Sequence, residues 1–194
     1  MRVVNRQCNR VTVDALRVKA GQSVLEIGCG PGEALALLAA KTHDARLHGL
    51  DRSDLMIARA RARNRAAERS GRLTLHHGDS RQLPFPGGSI DVVFAINVAY
   101  FWTDARSMLH EIRRVLRPGG QLVLYVTARA SMRLWFFASE RTHVHWDAET
   151  LLAALIAGGF SNDDIEISTL RFRGGIHGML AIARFNIGKL EVNR

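Results

Sequence analysis

The segment that most constrains the fold of this 194-residue chain is VLEIGCGPG, residues 24–32. A short apolar run contains one acid, three glycines follow at every second position, and a helical pattern begins directly after them. Glycine lacks a Cβ atom, so such a turn can adopt a positive φ and lets a ligand approach the backbone closely. A strand, a glycine turn and a helix N-terminus in this order predict the nucleotide-binding corner of a doubly wound α/β sheet.

The spacing of the glycines argues against a dinucleotide ligand. The dinucleotide fingerprint requires a glycine at the position that Glu33 occupies in this chain. A carboxylate there would face a pyrophosphate at a helix N-terminus, which is where anions bind. The motif therefore favours a nucleoside ligand without phosphates, and an NAD-dependent oxidoreductase is a disfavoured alternative.

Polar residues follow several of the predicted strands at their carboxyl ends. Asp51 ends the second strand, Asp79 follows the third and Asn97 follows the fourth. In an open α/β sheet this edge is where ligands bind, and an acid roughly twenty residues past the glycine loop hydrogen-bonds ribose hydroxyls. The first five predicted strands are residues 24–27, 46–51, 73–77, 90–96 and 121–126.

Together these segments resemble class I S-adenosylmethionine-dependent methyltransferases of the small-molecule type, similar to the ubiquinone/menaquinone-biosynthesis methyltransferase-like group. The matching blocks are VLEIGCGPG (24–32), GLDRS (49–53), HGDSRQLPF (77–85), IDVVFAINVAYFW (90–102) and LHEIRRVLRPGGQLVLYV (109–126). The resemblance implies a Rossmann-like, doubly wound, seven-stranded α/β sheet that is mostly parallel. Two late strands, 165–172 and 178–185, match the family's sixth and seventh, and the last is expected to run antiparallel between its neighbours.

The resemblance also implies a cofactor, S-adenosyl-L-methionine, which leaves as S-adenosyl-L-homocysteine. The glycine loop is expected to wrap its methionine part, Asp51 to hold the ribose and Asp79 to accept from the adenine amino group. The sulfonium and ammonium groups of the cofactor suit a site rich in carboxylates. The residues implied to bind it are Glu26, Gly28, Cys29, Gly30, Gly32, Asp51, Arg52, Met56, Asp79, Ser80 and Asn97.

The substrate side is predicted less sharply. Methyl transfer by in-line displacement needs mainly positioning in a dry pocket, and a general base only where the nucleophile must lose a proton. The acceptor is therefore expected to be a small molecule, methylated on O, N or C, and residues 127–147 are expected to face it. Expected substrate contacts are Tyr100, Phe101, Trp102 and Trp135, the last in an aromatic run that could equally be core packing.

The candidate catalytic residues are His143, His145 and Tyr100. The two histidines alternate along an extended segment and so share one side of it, and imidazole titrates near neutrality. They could equally be structural or surface residues. Asp147, which follows them, is expected to cap a helix over residues 148–157. Two histidines without a further ligand nearby in the sequence make a poor metal site, so no metal is predicted.

Length and composition favour one domain over residues 1–194, with a short N-terminal segment over residues 1–20 in which residues 9–18 have a helical pattern. The chain is 47% hydrophobic and has no apolar run long enough for a membrane helix, so a cytoplasmic protein is expected. Its two cysteines are expected to be small buried or incidental thiols. The thin N-terminal segment suggests an open site or one that a second subunit completes, for which a homodimer is one arrangement.

The net charge is +9, and arginines concentrate between residues 52 and 72. This segment is read as a solvated outer helix or, alternatively, as an electropositive patch for nucleic acid or an acidic partner. A nucleic-acid methyltransferase or RNA-binding protein is therefore one alternative function. The amino-methylating nucleic-acid enzymes of this fold carry prolines after the fourth strand, where this chain reads Asn97-Val98-Ala99-Tyr100. A non-catalytic, cofactor-binding scaffold is the other alternative.

Overall fold

The computed structural model describes residues 2–132, 144–172 and 175–186, and a twisted sheet forms its centre. Within these ranges the sheet has seven strands in the order β3-β2-β1-β4-β5-β7-β6. β1 to β5 are parallel, whereas β7 runs antiparallel to both β5 and β6, so the predicted fold is confirmed. The strands are β1 (Ser23–Ile27), β2 (Arg46–Asp51), β3 (Leu73–His77), β4 (Ile90–Ile96), β5 (Leu116–Thr127), β6 (Ile165–Arg171) and β7 (His177–Arg184).

Helices cover both faces of the sheet. They are α1 (Arg2–Ala15), α2 (Glu33–Lys41), α3 (Asp54–Arg63), α4 (Arg65–Arg69), α5 (Ala105–Val115), α6 (Arg129–Met132) and α7 (Ala148–Ala157), with short 3₁₀ turns at Ala99–Phe101 and Asn162–Asp164. No described helix is both long and apolar enough to cross a lipid bilayer.

The two faces bury two separate cores because successive side chains of a strand point to opposite sides. On one face Val24, Phe94 and Tyr125 pack with residues of α1, α2 and α3. On the other face Leu25 and Val93 pack with residues of α5 and α7. Strands that are buried on both faces read as continuous apolar runs, which is why the central ones were visible in the sequence.

The sequence misplaced two helical segments. A helical pattern over residues 9–18 predicted a short first helix, but α1 begins at Arg2 and ends at Ala15. The arginine-rich segment is two helices rather than one, because the chain breaks at Asn64. The buried Asn64 amide donates to the carbonyl oxygens of Gly32 (3.0 Å) and Ala60 (2.9 Å), and so joins the break to the glycine loop.

Other local predictions are confirmed. Asp147 begins α7 with a capping box, in which its carboxylate accepts from the Thr150 N–H and the Thr150 hydroxyl accepts from the Asp147 N–H. Cys8 and Cys29 are both free and buried.

Candidate active site

The glycine loop is fastened to the end of β2. The N–H groups of Gly28 and Cys29 both donate to the Leu50 carbonyl, at 2.7 and 3.0 Å. Gly28 has a φ of 65°, and a Cβ atom there would lie 2.5 Å from Cγ2 of Val98. Only glycine fits this position, because the φ is positive and a Cβ atom would collide with the side chain of Val98, two residues past the end of β4. The loop and the end of β4 are therefore in direct contact.

Asp51, at the carboxyl end of β2, organises the loops on either side of it. Its Oδ2 accepts a hydrogen bond of 2.9 Å from the Gly30 N–H, and its Oδ1 accepts one of 2.9 Å from the Ser53 N–H. Ser53 in turn begins α3, where its hydroxyl oxygen accepts from the Met56 N–H at 3.4 Å. The carboxylate is held in one orientation and keeps lone pairs for a ligand.

Asp79, in the loop after β3, is paired with Arg81. Its two oxygens accept from the backbone N–H and from Nε of Arg81, each at 2.9 Å. The hydrogen bonds from Arg81 lower the pKa of Asp79 below its usual value. Since its side chain is half exposed, this carboxylate stays ionised and accessible at neutral pH.

Asn97 follows β4 in a left-handed backbone conformation, with a φ of 56°. Its N–H donates to the Tyr125 carbonyl at 2.9 Å. Its side-chain oxygen accepts from the Tyr100 hydroxyl at 2.7 Å and from Oγ1 of Thr127 at 3.3 Å. Asparagine tolerates the left-handed region better than most residues, and a non-glycine residue there often marks a functional site.

Glu26 lies beneath the glycine loop and is only 4% exposed. Burial raises its pKa well above the usual value, while a hydrogen bond from the Leu35 backbone opposes that rise. Its Oε2 is buried and has no hydrogen-bond partner among the described residues. Burial also raises the pKa of the neighbouring Cys29 thiol, and the charges of Glu26 and Asp51 add to the effect. A buried acceptor without a partner is costly unless a ligand or water satisfies it.

These elements surround a cavity of about 660 Å³ at the carboxyl edge of the sheet. Eight of the residues singled out in the sequence line it: Gly28, Asp51, Arg52, Asp79, Ser80, Asn97, Phe101 and Trp102. Sequence reasoning missed Arg81, Thr103, Asp104, Ser107 and Met108, which also line it. For the missed residues between 103 and 108, the sequence feature that could have revealed them is the helix cap at Asp104. Its carboxylate accepts from the Ser107 N–H at 3.1 Å, and the start of α5 lies at the cavity.

Other predicted cofactor residues lie near this cavity but not in its wall. Gly32 precedes α2, where a Cβ atom would lie 2.4 Å from the Asn64 side chain. Gly30 contributes its N–H to Asp51, and a Cβ atom on it would meet nothing within 4 Å. Met56 is half-buried in the first turn of α3.

Two of the candidate catalytic residues, Tyr100 and His145, lie within the described residues. Tyr100 is 5% exposed and lies beneath the cavity rather than in its wall, with its hydroxyl bonded to Asn97 and to Thr127. This position favours a supporting role under Asn97 over contact with a substrate. His145 lies between Val144 and Trp146, which bond to the carbonyls of Tyr100 and Ala99. His143 and Trp135 fall outside the described residues.

Glu33 occupies the N-terminus of α2, as the argument against a dinucleotide requires. Its carboxylate pairs with the Arg63 guanidinium at 3.4 Å and accepts from the Asn9 amide at 3.4 Å. The helix end that would bind a pyrophosphate therefore already carries a carboxylate of this chain.

Residues 24–120 match the methyltransferase domain family. The chain is 36% identical over 109 residues to the 27-O-demethylrifamycin SV methyltransferase of Amycolatopsis mediterranei, which covers 56% of this chain and 40% of that protein. It is 27% identical over 171 residues to an uncharacterised methyltransferase of Bacillus subtilis, YdaC, which covers 88% of this chain and 89% of the relative. The chain spans less than half the length of the first curated relatives it matches.

A solved structure has the same fold. Haemonchus contortus phosphoethanolamine N-methyltransferase 2, in complex with phosphomonomethylethanolamine and S-adenosylhomocysteine, superposes with a TM-score of 0.77 at 20% identity. The match covers 93% of this chain and 52% of that one.

Proposed function

This chain belongs to the class I S-adenosylmethionine-dependent methyltransferases, and from that premise we propose that it transfers a methyl group to a small-molecule acceptor. The observation that carries the proposal is the cavity at the carboxyl edge of the sheet, where Gly28, Asp51, Asp79 and Asn97 come together. The acceptor atom is an oxygen, nitrogen or carbon, and the transfer is an in-line displacement.

The residues around the cavity fit S-adenosylmethionine. Asp51 has both oxygens oriented by backbone N–H groups and offers its remaining lone pairs to ribose hydroxyls. Asp79 is ionised and half exposed, and it offers an acceptor to the adenine amino group. The unpartnered Oε2 of Glu26 lies beneath the loop that takes the methionine part. When bound, the cofactor supplies a methyl group on a sulfonium, which is already an activated leaving group.

The chain's own contribution is orientation and the exclusion of water. Phe101, which is 52% exposed, and Trp102 form an aromatic part of the cavity wall, and Val98 and Met108 extend its apolar surface. This lining favours an apolar or aromatic acceptor, which it would hold against the methyl group in a dry site.

Burial raises the pKa of Tyr100. We therefore assign no proton transfer to its hydroxyl at neutral pH.

Calorimetric titration with S-adenosylhomocysteine, with NAD as the comparison ligand, tests the cofactor assignment. We expect micromolar binding of S-adenosylhomocysteine and none of NAD. Tight NAD binding, or no binding of S-adenosylhomocysteine, contradicts the proposal.

The acceptor class is tested by incubating the protein with methyl-labelled S-adenosylmethionine and panels of phenols, amines and carbon nucleophiles. Label should appear in an aromatic or apolar small molecule. Label in RNA or DNA at low salt, with none in any small molecule, would overturn this part of the proposal.

The homodimer and the cytoplasmic location remain predictions. Light scattering on the purified chain measures whether it is a dimer.

A further inference from the structure

Three polar groups beneath the cavity form a one-way chain of hydrogen bonds. The Thr127 backbone N–H points at the Tyr100 hydroxyl, and a backbone N–H can only donate. The phenol oxygen is therefore an acceptor in that bond, and its own hydrogen must be donated elsewhere. The Asn97 side-chain oxygen is 2.7 Å from the phenol oxygen, and the Thr127 carbonyl oxygen is 3.5 Å from it. The shorter contact decides the direction.

This chain of bonds determines which way the Asn97 amide faces. Its oxygen receives the Tyr100 hydroxyl and a second contact from Oγ1 of Thr127 at 3.3 Å. If the amide were rotated by 180°, the NH₂ group of Asn97 would face the Tyr100 hydroxyl, and two donors would point at each other. The amide nitrogen is consequently turned away from Tyr100, and Asn97 lines the cavity. Among the described residues, no hydrogen-bond acceptor is recorded for this nitrogen.

Asn97 lies at the glycine-loop end of the cavity. Asn97 directly precedes Val98, whose side chain fills the space where Gly28 lacks a Cβ atom. The Asp51 carboxylate at this end can only accept hydrogen bonds when it is ionised. A ligand carboxylate bound here would need a donor, and the Asn97 amide supplies one.

We propose that Tyr100 is a positioning residue that turns the Asn97 amide nitrogen toward the cavity, where it donates to the amino-acid carboxylate of the cofactor. The inference rests on the proposed function, because that function places the methionine part of the cofactor beside the glycine loop. It separates two roles: Asn97 touches the cofactor, and Tyr100 acts only through Asn97. Removing the Tyr100 hydroxyl leaves only the longer contact from Oγ1 of Thr127 to hold the amide in this orientation.

Two ligands that differ in the amino-acid part test this arrangement. S-adenosylhomocysteine carries the carboxylate, whereas 5′-methylthioadenosine keeps the nucleoside and lacks it. The variants are Tyr100→Phe, which keeps the ring, and Asn97→Asp, which keeps the shape but replaces the donor. Asn162→Asp adds the same charge at an exposed position and is the control.

The affinity for S-adenosylhomocysteine should fall about tenfold or more in Asn97→Asp and about threefold in Tyr100→Phe. The affinity for 5′-methylthioadenosine should stay unchanged in both variants, and Asn162→Asp should match the wild type for both ligands. Thr127→Val removes the second donor to the Asn97 oxygen, so it should lower the affinity for S-adenosylhomocysteine alone, and it tests the same orientation if Tyr100→Phe does not fold.

Two results would overturn the inference. Equal losses for both ligands would mean that the variants disturb the whole site, and unchanged binding of S-adenosylhomocysteine would mean that the amide makes no such contact. Either result leaves the proposed function intact, because the wild type would still bind S-adenosylhomocysteine. Failure of the wild type to bind it would instead remove the proposed function, and the inference with it.

Discussion

The backbone N–H of Gly30 donates a 2.9 Å hydrogen bond to Oδ2 of Asp51, across twenty-one positions of the chain. The other oxygen of this carboxylate accepts from the Ser53 N–H. One side chain therefore joins the glycine loop to the start of α3. The residue expected to bind ribose also sets the shape of the loop that is expected to bind the methionine part.

Replacing Asp51 should therefore weaken the site in two ways. We expect Asp51→Ala to lower the affinity for S-adenosylhomocysteine about tenfold or more, because a charged acceptor is lost. It should also lower the free energy of unfolding by about 1–3 kcal/mol, since two backbone N–H groups lose their partner. Calorimetry and urea denaturation measure the two effects. Asp44→Ala removes an exposed acid nearby in the sequence and should change neither quantity.

Alanine variants at Gly30 and at Gly88 test where the cofactor binds, with Gly88 as the control. Both have positive φ, at 50° and 63°, and a Cβ atom on either would meet nothing within 4 Å. Alanine should cost each about 1 kcal/mol of stability, because the left-handed backbone is strained for any L side chain. Only Gly30→Ala should also weaken S-adenosylhomocysteine binding, since its methyl group would enter space needed by the ligand. Equal binding by the two variants would place the cofactor elsewhere.

His48 should make stability depend on pH. Burial first, and then the charges of His76 and Arg46, lower the pKa of His48 from 6.5 to about 4. Its ring also packs edge-on against Phe85, with ring centroids 5.1 Å apart. The unfolded chain thus binds a proton more readily than the folded one, so stability is complete above pH 6.5 and declines as the pH falls toward 4.

Urea midpoints at about pH 7.5 and about pH 5 measure this dependence. His48→Gln should make the two midpoints more alike, although burial lowers the pKa of His76 as well and some dependence should remain. His110→Gln, at an exposed position of α5, should leave the dependence as it is in the wild type. A larger pH dependence in His48→Gln would contradict the assignment.

Asp147 should contribute to stability without affecting the cofactor. Its carboxylate accepts from the Thr150 N–H at 2.9 Å and completes the capping box of α7. Asp147→Ala should lower the free energy of unfolding, because α7 loses its N-cap hydrogen bond. Glu149→Ala, in the same exposed first turn, should cost less. Binding of S-adenosylhomocysteine should be unchanged in both, which calorimetry can check.

The sequence by itself determined the sheet and the position of the ligand edge. Gly28, Asp51, Asp79 and Asn97 could be singled out because each follows or ends an apolar strand, and parallel strands carry their carboxyl ends to one edge, where all four line the cavity. Strand positions are local properties, since burial on both faces requires a continuous apolar run. The cap at Asp147 is equally local, because it involves residues three apart.

Only the tertiary structure decided how these residues are used. The break at Asn64 depends on the Gly32 carbonyl, thirty-two positions away, and the short-range helical pattern contains no sign of it. The sequence predicts Tyr100 as a substrate contact and a catalytic candidate, and only the structure shows that its hydroxyl is bonded to the Thr127 backbone and to Asn97. A hydrogen bond between distant segments depends on how strands and loops pack in space, and residue type and spacing do not encode that packing locally.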